Sequence, residues 1–314
     1  MDSSKTILDK TFTGYQPEDF VDPKVLYQGK VRDVIDLGSE LILSVSDRVS
    51  AYDCILGTIP LKGQILNQMA LYWFEQTKDI LQNHLIESLS PRAVRVKKCE
   101  VLPVEIIVRS YLTGSAWRDY TKGKAVSGIK IPEGFKADQK FDKPIITPST
   151  KAEQGFHDEP ISREEIISRG LVSESLWQDI EQKALALFQR GTELAAKQGL
   201  ILVDTKYEMG LYNGELILVD EIHTPDSSRY WFADTYESLF EKGESQRKLD
   251  KEYLRKWLAD QGFMGDGNPP VIPDDVRLEV TNRYKEAFEL LTGKEFYPEQ
   301  DDIEVELSKI KSYL

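Results

Sequence analysis

The segment spanning residues 200–221 constrains the fold most, because it combines apolar, strand-like runs with charged residues. Branched aliphatic residues dominate two runs, 200–203 and 216–219, and an Asn213-Gly214 pair lies between them. Asn-Gly between two such runs is a strong short-range signal for a β-hairpin. The sequence therefore predicts two antiparallel strands joined by a tight turn.

The first strand of this hairpin carries charges at alternate positions, Asp204, Lys206 and Glu208. Successive side chains of a strand point to opposite faces, so these three share one face. Charges within apolar runs are costly to bury unless they are paired. A divalent metal bound by the carboxylates of Glu208 and Asp220 would supply a partner. The alternative is a charged strand face exposed to solvent, which is the commoner meaning of such alternation.

A shared metal makes a demand on the turn of the hairpin. With a two-residue turn and regular pairing, Glu208 and Asp220 would lie on opposite faces. A three-residue loop, with Gly214 in the left-handed conformation as a bulge, would bring them to the same face. We therefore expect the three-residue loop.

Composition bounds the class of protein. The chain has 314 residues, 40% of them hydrophobic, and a net charge of -13, which argues against broad binding to nucleic acids or anionic membranes. Cys54 and Cys99 are the two cysteines, too few for a disulfide framework or a thiolate zinc site. No apolar run reaches the ~18 residues of a membrane span, and the N-terminus lacks a signal-peptide pattern. We expect a cytoplasmic enzyme.

Periodicity predicts an α+β fold with a β-rich N-terminal lobe, a larger mixed lobe and a cleft between them, where ligands commonly bind. The expected domains are residues 1–103, a β-rich lobe, and residues 104–314, a mixed lobe with a helical C-terminal region. A capping box at Ser162 predicts a helix start, and Gly199 and Gly293 predict helix ends. Strands are expected at 30–37, 41–46, 93–98 and 104–108, loops at 120–150, and helices at 64–76, 174–198, 250–260, 274–292 (capped by Asp274) and 302–312.

Two segments could bind phosphate groups. Gly29 allows close backbone approach, and Lys30 and Arg32 lie on one strand face, although an ordinary solvated strand end has the same pattern. In the second segment, Arg109 lies at the end of a predicted buried strand. Gly114 and Ser115 begin a predicted helix, and the first backbone N–H groups of a helix favour anions. The alternative for this second segment is an N-cap serine beside a surface arginine.

Three further segments carry polar residues in suggestive places. The acids of residues 46–53 could bind a second metal or a substrate group, or could form a polar turn. Residues 147–159 form a polar loop with no hydrophobic purpose. Pro225-Asp226-Ser227 predicts a turn that brings Arg229 near a cleft. The histidines are isolated along the chain, so a histidine metal site is not expected.

Taken together, seven sequence blocks closely resemble the phosphoribosylaminoimidazole-succinocarboxamide synthase (SAICAR synthetase) family, in its longer, single-function eukaryotic-type form. They follow the order of the family and extend from about residue 28 to residue 258. Met209, where the family usually has phenylalanine, lies on the strand face opposite the charges. The blocks are GKVRD (29–33), SDRVSAYD (46–53), LPVEIIVRSYLTGS (102–115), TPSTKAEQGFHDE (147–159), LVDTKYEMG (202–210), LVDEIHTPDSSRYW (218–231) and GESQRKLDKEYLRKWL (243–258).

This resemblance implies an ATP-dependent carboxylate-amine ligase of purine biosynthesis. It would join L-aspartate to the carboxylate of CAIR, the carboxylated aminoimidazole ribotide, to give SAICAR, ADP and phosphate, with Mg2+ bound to the ATP. ATP, L-aspartate and CAIR are the expected partners, and neither a nucleic acid nor a membrane is expected as a partner. The expected oligomeric state is a monomer, with a dimer as the alternative. The implied fold is that of SAICAR synthases, whose ATP-holding lobe resembles that of protein kinases and ATP-grasp enzymes. The resemblance makes residues 1–103 the ATP-binding lobe and residues 104–314 the substrate and metal lobe, with the ATP cleft between them.

The resemblance also implies a role for each candidate residue, with residues 97–103 as the adenine-facing hinge. The implied ATP contacts are Gly29, Lys30, Val31, Arg32, Lys98 and Leu102, and the metal ligands are Glu208, Asp220 and Asp53. The implied CAIR contacts are Arg109, Ser115, Arg229 and Asp53; Lys206, Asp204 and Lys151 are catalytic or steering residues; Lys251 and Arg255 bind aspartate.

Two other functions remain open from the residues alone. A kinase-like phosphotransferase acting on a hydroxyl group would share the basic strand and the metal carboxylates, but would not need Arg109, Ser115 and Arg229. A catalytically inactive nucleotide-binding subunit would not need the full set of charged residues, which this chain retains.

Overall fold

The computed structural model describes residues 7–8, 11–52, 54–151, 158–249, 252–299 and 302–314. The chain forms two compact units. The first unit combines residues 1–72, 84–98 and 250–314, and the second combines residues 73–83 and 99–249. The C-terminal helices thus group with the N-terminal strands, whereas the sequence grouped them with the second lobe.

The first unit contains a five-stranded antiparallel sheet in the order β1-β2-β3-β7-β6 and a separate β4-β5 hairpin. Its core joins residues from both ends of the chain: the rings of Phe12 and Tyr15 pack with Ile35, Ile42 and Ile310. The strands are β1 (Leu26–Gln28), β2 (Arg32–Asp36), β3 (Glu40–Val45), β4 (Arg48–Ala51), β5 (Cys54–Thr58), β6 (Leu85–Ser88) and β7 (Ala93–Lys97).

The second unit is built on a seven-stranded sheet with a long central strand, β12. This strand pairs with β9 on one side and β14 on the other, and its distal half forms a hairpin with β13. The strands are β8 (Glu100–Val101), β9 (Val104–Leu112), β10 (Gln139–Ile146), β11 (Ser149–Thr150), β12 (Leu200–Tyr212), β13 (Glu215–Val219) and β14 (Ser228–Phe232).

Helices pack on the sheet of the second unit and make up most of the C-terminal part of the chain. In the second unit the longest helix, α4, packs against β12 and β9. No helix of the described residues is long and apolar enough to cross a membrane. The helices are α1 (Lys62–Thr77), α2 (Gly114–Thr121), α3 (Arg163–Ser168), α4 (Glu174–Lys197), α5 (Ala233–Lys242), α6 (Glu252–Asp260), α7 (Asp274–Thr292) and α8 (Ile303–Lys311).

The turn between β12 and β13 corrects the expected three-residue loop. Tyr212 pairs with Glu215, so the turn has two residues, and the pairing is regular back to Glu208 and Val219. Both turn residues adopt positive φ, 54° at Asn213 and 82° at Gly214. This mirror-image turn matches the twist of the two strands, and Asn-Gly is its preferred sequence. The loop prediction was wrong, and the same-face argument for Glu208 and Asp220 fails with it.

Most other local predictions hold. The Ser162 capping box is present, and Gly293 ends α7 in the left-handed conformation. The expected loop at 120–150 is wrong in its second half, where β10 adds to β9 with a bulge between Lys140 and Ile145 that disguises its alternation. Asp274 is the first helical residue of α7 rather than its cap, which is Pro273.

Candidate active site

The charged face of β12 is a buried surface of the second unit. Strand pairing places Asp204 directly opposite Arg109 of β9 on one side and Arg229 of β14 on the other. Asp204 and Glu208 are 5% and 8% exposed, so the solvent-facing alternative is wrong for these two carboxylates. Buried charges need partners, and the face divides into two clusters that supply them.

The first cluster, here called the arginine cluster, consists of Arg109, Asp204, Arg229, Ser115 and Thr147. Arg109 uses its whole guanidinium: Nη1 donates to Asp204 Oδ2 (2.9 Å), Nη2 to Ser115 Oγ (3.1 Å) and Nε to Thr147 Oγ1 (2.8 Å). Burial lowers the pKa of the Arg109 guanidinium, and the Asp204 carboxylate opposes that shift. Arg109 is therefore fixed in one orientation beside the first turn of α2.

Arg229 completes the arginine cluster over Gly114. Its Nε donates to Asp204 Oδ1 (3.0 Å), so both oxygens of Asp204 are engaged by arginines. A Cβ atom at Gly114 would lie 2.0 Å from Arg229 Nη1, which shows how closely the guanidinium approaches the helix start. Gly114 has a φ of 59°. Two arginines, the Ser115 hydroxyl and the first N–H groups of α2 converge there, a set of groups that binds phosphate.

The second cluster, here called the lysine cluster, consists of Glu105, Lys206, Glu208 and Lys151, with Ser149 beside it. Lys206 Nζ lies 2.6 Å from Glu105 Oε1 and 2.6 Å from Glu208 Oε1. Lys151 Nζ donates to the other oxygen of Glu208. Ser149 Oγ donates to Glu105 Oε2 at 3.1 Å. Each carboxylate oxygen of this cluster thus accepts a hydrogen bond.

The lysine cluster shifts the pKa values of its members in different directions. For Glu208, burial favours the neutral form, but Lys206 and Lys151 outweigh it and lower the pKa to about 2. For Glu105, burial wins over Lys206 and raises the pKa. Burial would lower the pKa of Lys206, yet Glu208 and Glu105 raise it well above its usual value. Glu208 is therefore a carboxylate that is ionised at neutral pH and held by two ammonium groups.

Sequence reasoning gave no role to Glu105, which the structure places at the centre of the lysine cluster. A signal was present, because Glu105 and Arg109 lie four residues apart on one strand and therefore share a face. The close approach of Arg229 to Gly114 was also missed, since it depends on the position of β14 relative to α2.

The candidate ATP loop lies in the first unit, between β1 and β2. Gly29 N donates to Arg32 O at 2.7 Å, closing a tight turn. The loop is held by the SDR segment: Arg48 donates to the carbonyls of Gly29 (3.0 Å, Nη2) and Lys30 (3.1 Å, Nε). Ser46 contributes two bonds to Val31 O, from its amide at 3.0 Å and its hydroxyl at 2.8 Å. The loop backbone is therefore fixed by a neighbouring strand end.

The acids of the SDRVSAYD segment turn out to have structural partners where the structure describes them. Asp47 is fully buried and accepts bonds from the amides of Phe12 (2.8 Å) and Gly63 (2.8 Å). Burial raises its pKa. Arg48 forms a buried ion pair with Asp33 at 2.7 Å. Asp53, the predicted metal and CAIR residue, lies outside the described residues, so its role stays a prediction.

The remaining candidates are distributed over both units. Leu102 is buried and its amide donates to Met209 O at 2.9 Å. Lys98 pairs with Asp36 at 2.7 Å, in an exposed position. Arg255 is exposed on α6, and Lys251 lies outside the described residues. Asp220 follows the end of β13 with a φ of 66°, a left-handed backbone conformation.

The SAICAR synthetase family model matches residues 25–269 of this chain. The chain belongs to the SAICAR synthetase family. This membership confirms the predicted resemblance, the α+β fold class and the enzyme class, an ATP-dependent ligase.

Curated relatives and solved structures agree with the family. The phosphoribosylaminoimidazole-succinocarboxamide synthase of Bacteroides fragilis is 50% identical over 286 residues, 89% of this chain and 91% of the relative. The Saccharomyces cerevisiae SAICAR synthase complexed with SAICAR is 36% identical with a TM-score of 0.77, and the match covers 86% of this chain and 95% of that one. A type-2 SAICAR synthetase in complex with ADP is 27% identical with a TM-score of 0.64, covering 88% and 100%.

The lysine cluster is the candidate site for the Mg2+ that the family implies. No group of three or more His, Cys, Asp or Glu side chains among the described residues is arranged to hold a metal. The chemistry of Glu208 nevertheless fits a hard cation: it is ionised, and it already accepts two cationic groups. Asp220 follows the last residue of β13 with a left-handed backbone, and its part in a metal site stays a prediction. Glu208 therefore fits Mg2+ as a ligand.

Proposed function

We propose that this protein joins L-aspartate to CAIR at the expense of ATP, giving SAICAR, ADP and phosphate. The observation that carries the proposal is the row of Arg109, Asp204 and Arg229 across three strands, in a chain of the SAICAR synthetase family. Two arginines around one carboxylate leave an excess of positive charge beside the start of α2. A ribotide phosphate is a dianion that this arrangement suits.

In this proposal the arginine cluster binds the CAIR phosphate. Arg229 contributes its terminal nitrogens, Ser115 its hydroxyl, and the first turn of α2 its backbone N–H groups. Asp204 acts differently from the catalytic or steering role that the resemblance implied. Because both its oxygens are bonded to arginines, it serves as a positioning residue that holds the two guanidinium groups at one spacing.

The lysine cluster would hold the Mg2+ of ATP, with Glu208 and Asp220 as ligands and Lys206 offsetting charge. Mg2+ would neutralise charge on the transferred phosphoryl group and orient it. Lys206 and Lys151 are the ammonium groups of this cluster, and we assign them to steering the phosphate oxygens and the aspartate carboxylates. Arg255 and Lys251 remain proposed aspartate contacts.

ATP itself is assigned to the loop of Gly29, Lys30, Val31 and Arg32, together with Lys98 and Leu102. The backbone of this loop is rigidly held by Ser46 and Arg48, which suits a loop that must keep its N–H groups aligned on phosphates. Relatives support a nucleotide, since a solved SAICAR synthetase carries ADP.

The reaction explains why phosphate groups and charge neutralisation dominate the site. A carboxylate is a poor electrophile, because oxide is a very poor leaving group. A CAIR carboxylate oxygen attacks the γ-phosphorus of ATP, and the bond from this phosphorus to the β-phosphate oxygen breaks. ADP departs, and CAIR now carries an acyl phosphate. The aspartate amine then attacks the acyl carbon, loses a proton and expels phosphate. Positioning and electrostatics supply most of the catalysis of phosphoryl transfer.

The test is incubation of the purified protein with ATP, Mg2+ and CAIR, with and without L-aspartate. Formation of SAICAR only when aspartate is present supports the proposal. Consumption of ATP with an alcohol acceptor, and none with CAIR, would instead indicate the kinase-like phosphotransferase. No turnover under either condition would indicate an inactive nucleotide-binding subunit.

A further inference from the structure

We infer that the ammonium of Lys151 occupies the metal position on Glu208 and that a divalent cation must displace it. The inference rests on the proposed function for the identity of the metal site. It starts from an asymmetry of the lysine cluster: the two ammonium groups bind different oxygens of one carboxylate, Lys206 at Oε1 and Lys151 at Oε2.

The two lysines differ in how firmly they are held. Lys206 bridges two buried carboxylates, Glu105 and Glu208, and lies on the central strand β12. Lys151 follows the short strand β11, and Glu208 is its ion-pair partner within the described part of the chain. The Lys151 side chain is 40% exposed and that of Lys206 is 33% exposed, so the difference between them lies in the second carboxylate partner of Lys206 and not in exposure.

Glu105 makes the exchange selective. If a cation approaches Glu208, both lysines are repelled, but Lys206 keeps a full ion pair with Glu105, which Ser149 supports. Lys151 has no second carboxylate of this kind among the described residues. A cation therefore replaces Lys151 at Oε2, while Lys206 stays in place.

Charge balance gives the exchange a purpose. Without a metal, two carboxylates face two ammonium groups, so the buried cluster is neutral and the fold does not carry an unpaired charge. When the metal arrives, Lys151 is released beside the substrates with its charge intact. It can then contact a phosphate or carboxylate group of a ligand that arrives with the metal. Lys151 is thus a placeholder for the cation and a ligand contact afterwards.

The first test measures binding of Mn2+ alone, as a paramagnetic substitute for Mg2+, to the protein without ATP, CAIR or aspartate. The variant Lys151→Met keeps the length of the side chain and removes the competing charge. We expect it to bind Mn2+ roughly tenfold more tightly than the natural protein. Lys151→Gln should behave similarly, and Lys143→Met, at an exposed lysine of β10, is the matched control that should not change the affinity.

The second test separates displacement from a general loss of positive charge. In the natural protein, saturating Mg2+ should raise the acetylation rate of Lys151 by an amine-reactive reagent, as measured by peptide mass spectrometry, and leave Lys206 unchanged. Unchanged or weaker Mn2+ binding in both Lys151 variants, or no binding in any protein, overturns the inference. Tighter binding without a change in Lys151 reactivity also overturns it.

Both measurements are independent of turnover, so they can fail separately from the proposed function. A protein that makes SAICAR but shows no displacement of Lys151 retains its function and loses only this inference. Displacement of Lys151 in a protein that makes no SAICAR would support the cation site and contradict the proposed ligation reaction. Thermal unfolding of each variant confirms that the fold is intact.

Discussion

The arginine cluster and the lysine cluster lie along the same face of β12, yet they differ in their balance of charge. In the arginine cluster two guanidinium groups share one carboxylate, which leaves a surplus of positive charge and unused donors over Gly114. In the lysine cluster two ammonium groups meet two carboxylates, and the charge is balanced. The arginine cluster can therefore bind an anion, whereas the lysine cluster can exchange one of its ammonium groups for a metal cation.

The choice of cation follows this difference. Arginine is planar and delocalised, and it keeps its geometry while it holds a carboxylate on one edge and a phosphate on the other. Lysine is a point charge on a flexible stem, so it can leave a carboxylate without disturbing the strand. A permanent site is thus built from arginine and an exchangeable site from lysine.

The largest expected effect comes from removing the carboxylate on which the lysine cluster depends. Glu208→Gln should lower kcat for SAICAR formation by about 10³-fold, because the proposed metal ligand loses its charge. The protein should remain folded, since Lys206 keeps Glu105 as a partner. The measurements are steady-state kinetics at saturating Mg2+ and thermal unfolding.

Glu215→Gln is the matched control, because Glu215 is an exposed glutamate on the neighbouring strand β13. It should leave kcat unchanged. Full turnover in Glu208→Gln at saturating Mg2+ would refute the metal role of this cluster.

The arginine cluster should respond in a different kinetic parameter. Arg229→Met removes charge-assisted hydrogen bonds to the CAIR phosphate and should raise the KM for CAIR by about 10- to 100-fold, with a smaller change in kcat. Arg118→Met, at an exposed arginine of α2, is the control. If Arg229→Met lowers kcat and leaves KM unchanged, the arginine cluster does not bind the ground-state phosphate.

The comparison also shows what the sequence could predict. Alternation along β12 was enough to place Asp204, Lys206 and Glu208 on one face, because the period of a strand is fixed by its geometry. The capping box and the left-handed glycine likewise located helix ends from local chemistry. Family blocks then supplied the enzyme class, which periodicity alone could not.

What the sequence could not predict depends on contacts between distant segments. Glu105 became part of the site only because β9 pairs with β12, and Gly114 only because Arg229 crosses above it. The prediction of a three-residue loop at Asn213-Gly214 was wrong for another reason. It followed from the requirement that Glu208 and Asp220 share a metal, whereas Asn-Gly has a strong local preference for a two-residue turn.

A third prediction uses pH to examine the lysine cluster alone, since arginines keep their charge throughout the range. The pKa of Glu208 is about 2, below its ordinary value of 4.5. Its contribution to stability is therefore present above about pH 4.5 and is lost as the pH falls towards 2. The natural protein should exceed Glu208→Gln in unfolding free energy by about 2 kcal/mol at pH 6.

That difference should shrink as the pH falls below 4.5, and urea unfolding from pH 6 to pH 3 measures it. A difference that stays constant over this range would mean that the two lysines do not hold the carboxylate in its ionised form. A difference that grows on acidification would reverse the sign of the shift.

The smallest expected effect tests the geometry of the arginine cluster without removing any charge. Gly114 and Gly123 both have positive φ, 59° and 70°, so an alanine at either position carries a similar backbone strain. They differ in their surroundings: a Cβ at Gly114 would meet Arg229 Nη1 at 2.0 Å, whereas nothing lies within 4 Å of a Cβ at Gly123. Gly114→Ala should therefore displace Arg229 and raise the KM for CAIR by about tenfold, the change that ~1.4 kcal/mol makes. Gly123→Ala should leave that KM unchanged, and an equal rise in both variants would show that helix strain, rather than the placement of Arg229, controls binding.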